Sequence, residues 1–290
     1  MIDWSSPEFL SLSAAFALGA AIVASKLGLR DISALSGACI SVPTTALLLL
    51  CLSPFYFDSS GWQNEAALVF ALIGLFFPAL VTILNFEANN RMGPTVASTV
   101  GSVTPLFAVA VAIVLLGEAP SAITVLGIVA VVGGVMALSV QGSGVSRSWP
   151  LWVLLIPLIG AAVRGSAQAI AKFGLAIWPN WFAAVLIGYL VSAAIILLFA
   201  FGPLAARRSA FHWRAVPWFA LAGILNGAGM LLMYAALTGG SVATVASIVA
   251  IYPAITFMLS AAFLRDETPT VFSLLGVALT LAGVILVTQG

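Results

Sequence analysis

Ten apolar stretches separated by short polar breaks divide the chain at about residues 9–28, 32–52, 66–86, 94–116, 121–140, 151–172, 180–201, 215–236, 241–264 and 270–288. Each comes close to the roughly 20 residues that an α-helix needs to cross about 30 Å of hydrocarbon. The pattern predicts an all-α membrane protein with ten transmembrane helices. Composition agrees: 62% of residues are hydrophobic, 7% are charged and the mean hydropathy is +1.20. So few charges could not cover the surface of a water-soluble fold of this length. Asp3 and Glu8, rather than basic residues, precede the first stretch, so it is expected to be a permanent span and not a signal peptide. All eight tryptophans fall at span ends or beside them, where an interfacial aromatic belt is expected.

The chain is also internally repeated. Gly19 and Lys26-Leu27-Gly28-Leu29 return as Gly165 and Lys172-Phe173-Gly174-Leu175. Phe70-Ala71-Leu72-Ile73-Gly74 returns as Phe219-Ala220-Leu221-Ala222-Gly223, and Pro105 has its counterpart in Pro253. Glu118-Ala119-Pro120 followed by Leu126-Gly127 returns as Glu267-Thr268-Pro269 followed by Leu275-Gly276. The displacement stays between 146 and 149 residues throughout, whereas chance matches would scatter. Units are expected at 1–145 and 146–290, with five spans in each. An odd number of spans makes the second unit enter the membrane upside down, the inverted-repeat design of many secondary transporters. One chain then contains both halves, so a monomer suffices and an oligomer stays possible.

With its two five-helix units, proline-containing fourth and ninth spans and short acidic link Leu116-Gly117-Glu118 before the fifth span, the chain resembles the EamA-like branch of the drug/metabolite transporter superfamily. The second copy of the link reads Leu264-Arg265-Asp266-Glu267. The resemblance extends over nearly the whole chain. It implies a multi-pass protein of the cell (inner) membrane that transports small metabolites, with export the commoner direction. The small multidrug pumps related to this superfamily carry a proton-coupling glutamate in the first span. None stands in the first span here, so that coupling does not carry over.

Charge placement adds an orientation. Loops after odd-numbered spans carry Lys26, Arg30, Arg91, Arg147, Arg207, Arg208, Arg214 and Arg265, against Lys172 alone after even-numbered ones. The positive-inside rule makes the first set cytoplasmic and places both termini outside, whereas the family resemblance implies cytoplasmic termini. The net charge of +1, with no basic stripe, argues against nucleic acid as a partner. His212 lies in a basic loop suited to anionic lipid. Cys39 and Cys51 stand twelve residues, about 18 Å of helix, apart and cannot pair. One histidine and two distant cysteines offer no metal site, and no cofactor is expected.

Arg164 is the one charge placed well inside a span, and with Gln168 and Lys172 it forms a polar stripe that the first unit replaces by Leu18, Ile22 and Lys26. An arginine at such depth is costly and usually faces a cavity or a partner. Its planar fork suits a substrate carboxylate or phosphate, and it could equally cap carbonyls of a neighbouring helix or snorkel to the surface. Glu87, by a long reach, is one candidate partner. Asn226 and Tyr234 on the eighth span, Thr244 and Tyr252 on the ninth, and Ser98 and Ser102 on the fourth complete the candidate substrate-binding set. The hydroxyls among them could instead serve close helix packing. Glu118 and Glu267 are expected to cap the helices that follow them.

A small-molecule transporter, of amino acids or similar zwitterions, is the leading reading. A non-transporting assembly protein or an intramembrane enzyme are the alternatives, and the enzyme would need a cluster of acids, histidines or a metal. The orientation yields a direct test: cysteines introduced near Ser60 and near Ser209 should label from opposite faces of intact cells, the latter from the cytoplasm. Labelling of position 209 from outside would reverse it.

Overall fold

The computed structural model describes residues 5–142, 150–201, 212–263 and 271–289. Trp4, Arg147, Trp149, Arg207, Arg208, Arg265 and Glu267 lie outside these residues. Regular structure among the described residues is entirely helical: α1 (Pro7–Gly28), α2 (Ala34–Tyr56), α3 (Asn64–Gly74), α4 (Ala79–Met92), α5 (Pro94–Gly101), α6 (Thr104–Leu116), α7 (Ala122–Gly142), α8 (Leu155–Ile177), α9 (Trp181–Phe201), α10 (Val216–Gly239), α11 (Val242–Val249), α12 (Tyr252–Phe263) and α13 (Val271–Gln289). Among the described residues seven segments are long and apolar enough to cross a membrane, and three shorter apolar helices accompany them. Leucines and phenylalanines such as Phe16, Leu47, Leu198 and Phe263 stand exposed on the outside, as hydrocarbon rather than water as the surrounding medium requires.

Helix starts follow local chemistry. The side chains of Ser6, Ser33 and Ser241 accept from Phe9, Ser36 and Thr244 N–H groups, and Asn180 Oδ1 accepts from Ala183 N. Such caps satisfy donors that a helix N-terminus leaves free. Gly117, at φ 67°, ends α6 in the left-handed conformation that glycine adopts without strain.

Three of the apolar stretches are not continuous helices. The third divides into α3 and α4 at residues 75–78, where Pro78 cannot donate to a preceding carbonyl; α4 then runs to Met92, six residues beyond the expected end of the span. The fourth divides into α5 and α6 ahead of Pro105, and Thr104 Oγ1 donates to Gly101 O at the break (2.6 Å). The ninth divides into α11 and α12 ahead of Pro253.

The repeated residues make reciprocal contacts. A Cβ on Gly28 would lie 2.5 Å from the ring of Phe219, and one on Gly174 would lie 2.5 Å from the ring of Phe70. Gly223 abuts the carbonyl of Ser41 as Gly74 abuts that of Gly188. Thr45 Oγ1 donates to Gly223 O and Ser192 Oγ to Gly74 O, both at 2.6 Å. If residue i of one copy meets j of the other, then j of the first meets i of the second, the signature of a two-fold relation. The helices approach so closely at these glycines that no side chain fits between them, which is how packing replaces the hydrophobic effect within a membrane. The same holds for α7 against α13, where a Cβ on Gly127 or Gly283 would lie 2.7 Å from the other's carbonyl oxygen.

Glu118 departs from expectation. Its Oε1 accepts from Val242 N at the start of α11 in the other unit (3.0 Å), while α7 is capped by Ser121, which accepts from Thr124 N (3.1 Å). A glutamate on the link between two helices can cap whichever helix start packs nearest, and here that helix is not its own.

The backbone approaches set a stability expectation. Gly74→Ala and Gly223→Ala should each cost about 1–3 kcal/mol, by overpacking against a carbonyl that has no room to move. Gly133→Ala, with nothing within 4 Å of the new atom, should cost nothing. Unfolding in detergent compares the three, and a Gly223→Ala protein as stable as the parent would refute the close approach.

Candidate functional site

A cavity of about 800 Å³, counting its open mouth, lies between the two copies. Its walls come from the second half of α1, the α3–α4 break and α4, α5, α8, α9, α10 and the first residue of α12. At one end it reaches Ser25, Asn89 and Ala97, each about a turn from helix ends on the face that carries Arg30 and Arg91. Polar and aromatic contacts cluster at the opposite face. There Lys172 Nζ donates to Leu237 O (2.6 Å) and Gly240 O (3.0 Å), Asn180 Nδ2 donates to Asp58 O (2.7 Å), and Trp62 meets Trp178 edge to face at 5.1 Å.

Arg164 enters the cavity from the middle of α8, half-buried. Its Nη1 donates to the Tyr252 hydroxyl (3.2 Å), and its Cζ lies 5.5 Å from the centre of the same ring, within cation–π range. The Tyr252 hydroxyl in turn donates to Ser98 O (3.2 Å), in the last turn of α5. Space for that hydroxyl exists because residue 101 is glycine: a Cβ there would lie 2.5 Å from it. One chain of hydrogen bonds thus joins the charge to two of the three broken stretches, those interrupted ahead of Pro105 and Pro253. A guanidinium has five N–H donors, so most of Arg164 remains available to a ligand. Glu87 does not reach it; that carboxylate pairs with Arg91 one turn along α4.

Of the residues expected from sequence, Arg164, Asn226, Tyr252 and Ser98 line the cavity together. Gln168 is buried one turn from Arg164, its Nε2 donating to the sulfur of Met233, a cavity residue (3.4 Å). Tyr234 is buried beside Tyr189. Ser102 is buried at the α5–α6 break and is not in the cavity wall. Thr244 lies outside the cavity, in the first turn of α11, with its N–H and hydroxyl on Ser241. Its hydroxyl serves a helix start.

Sequence reasoning missed Tyr189, Asn85 and Asn89, all in the cavity wall. Tyr189 is one of only four tyrosines and stands in mid-span, which was a usable signal. The asparagines fall where hydropathy closes the third span. Asn89 straps α4 to α1, its Nδ2 donating to Ser25 Oγ (3.0 Å) and Ile22 O (3.3 Å). Because a carbonyl only accepts, the amide cannot be turned over, and its buried Oδ1 is left without a partner. Among the described residues no group of three histidine, cysteine or carboxylate side chains could hold a metal.

The model of the EamA-like transporter family matches residues 5–140 and again 150–289. The chain belongs to the EamA-like transporter family. The two matches are the two copies whose contacts reciprocate, and the family makes this a multi-pass membrane protein of the drug/metabolite transporter type. A crystal structure whose title names it only as a protein has the same fold: TM-score 0.75 and 15% identity, over 98% of this chain and 96% of that one. No curated protein matches the sequence.

The Arg164–Tyr252–Ser98 chain is open to measurement in this EamA-like protein. Tyr252→Phe keeps the ring under the guanidinium and removes both hydrogen bonds, and it should lower stability by about 0.5–2 kcal/mol. Unfolding in detergent reads the loss. An unchanged protein would mean that the hydroxyl links nothing of consequence.

Proposed function

We propose that the chain is a secondary transporter of ten membrane spans, two inverted five-helix units at 1–145 and 146–290, that exports small metabolites such as amino acids across the cell (inner) membrane by alternating access. Arg164 carries the reading. A half-buried guanidinium in mid-span, held by one tyrosine and facing a cavity between the two copies, has donors left for an anionic ligand. Broken helices border the cavity, and irregular backbone at membrane depth is tolerated where it lines such a space.

Seven long apolar segments and three shorter ones among the described residues support that number of spans. The cavity extends toward the face of Arg30 and Arg91, which the positive-inside rule makes cytoplasmic, so it would load from inside the cell. The Lys172 contacts with the end of α10, and Glu118 on the start of α11, would then be the closure that has to open for release.

Counterflow of radiolabelled amino acids in proteoliposomes is the test. The parent protein should exchange label. Arg164→Ala should lose roughly tenfold to a hundredfold in apparent affinity, the cost of about 1.5–3 kcal/mol for a charge-assisted hydrogen bond. Arg164→Lys should lose most of the same, because an ammonium cannot reproduce the fork. Folded Arg164 variants that exchange with parental affinity would leave the residue structural.

A further inference from the structure

Arg164 accounts for one end of a ligand, and Asn85 is placed to read what stands beside it. Asn85 is half-buried on α4, one turn before the Asn89 strap, and lies in the cavity wall. Unlike Asn89, its amide makes no hydrogen bond within the described protein and is not sealed from the cavity. Its Oδ1 lies 3.5 Å from the point that a Cβ on Gly160 would occupy. Gly160 and Arg164 are four residues apart on α8 and so share a face, about 6 Å along the axis. Helical side chains lean toward the N-terminus of their helix, so the stem of Arg164 rises over the turn that carries Gly160. The bare glycine lets the amide come up against that turn. The guanidinium and the amide are thus presented to the same cavity from packed helices.

Among the described residues the cavity wall contains this one cation and no carboxylate. A positively charged or donor-bearing group on a ligand must accordingly be met by neutral acceptors, and an amide carbonyl is one. Its NH2 group can also donate to the second oxygen of a carboxylate that the guanidinium already holds.

We propose that Asn85 is a specificity-determining residue: its amide accepts from an N–H or O–H group on the carbon next to the substrate's carboxylate. The site then prefers α-amino or α-hydroxy carboxylates to plain carboxylates. This rests on the reading of Arg164 as the anion anchor. Discrimination of this kind is steep, because a site built to meet a donor is left with an unpaired acceptor when the donor is missing.

Matched pairs test it: L-leucine and 2-hydroxy-4-methylpentanoate against 4-methylpentanoate, and L-phenylalanine against 3-phenylpropanoate. Each is titrated into the purified protein in detergent and read by the ligand-dependent shift in unfolding temperature. The donor-bearing member should bind at least tenfold more tightly to the parent. Asn85→Leu should bring the ratio to about threefold or less while the plain carboxylate keeps its affinity, and Asn85→Ala gives the same comparison should the leucine variant not fold. Arg164→Ala should weaken both members alike. Equal binding of the two members by the parent, or an undiminished ratio in a folded Asn85 variant, overturns this proposal alone. Binding by Arg164→Ala at parental affinity, or no binding of any member by the parent, overturns the anion anchor and this proposal with it.

Discussion

Backbone contact is the constraint on which the whole structure rests. In hydrocarbon, apolar side chains gain little by leaving lipid for one another, so helices are held by how closely they can lie. Here they lie close enough at Gly74, Gly127 and Gly223 that carbonyl oxygens of the partner helix fill the place of a side chain. Small hydroxyls complete these contacts, as Thr45 and Ser192 do across equivalent crossings. The abundance of glycine and buried alanine follows from that requirement.

Three of the apolar stretches are also broken, and two of the breaks reach the cavity, through Phe77 and Pro78 and through Tyr252. Tyr252 begins the helix after one break and bonds to the helix before another, so Arg164 is fastened to the parts of the backbone with the fewest internal restraints. A ligand that competes for the guanidinium therefore acts on both copies at once. Lys172 and Glu118, at the opposite face, hold main-chain atoms around the α10–α11 link.

Much of this was legible in the sequence, because apolar length, the repeat and a lone mid-span arginine are local or self-referential signals. Gly28 and Phe70 could be matched with Gly174 and Phe219 by inspection, although nothing in the chain says that each glycine receives the other copy's ring. Hydropathy closed the third span at residue 86, since Asn85, Glu87, Asn89 and Asn90 resemble a polar boundary. A polar residue facing a cavity and one facing water look alike along a chain. Glu118 misled for a related reason: a cap is usually sought on the helix that follows, and its actual partner lies in the other copy. Thr244 and Ser102 carry the same hydroxyl as a site residue but sit at a helix start and at a helix break.

Leu18 and Arg164 occupy equivalent positions in the two copies, and both face the same cavity. Had the copies remained separate identical chains, an assembled pair would hold two guanidiniums across one small space, each costing about 2.5–3.5 kcal/mol to place at this depth and each repelling the other. Joining the copies end to end removes the obligation to be identical. One half keeps the charge, the other presents a leucine, and a cavity built by a symmetric scaffold acquires a charge on one side only.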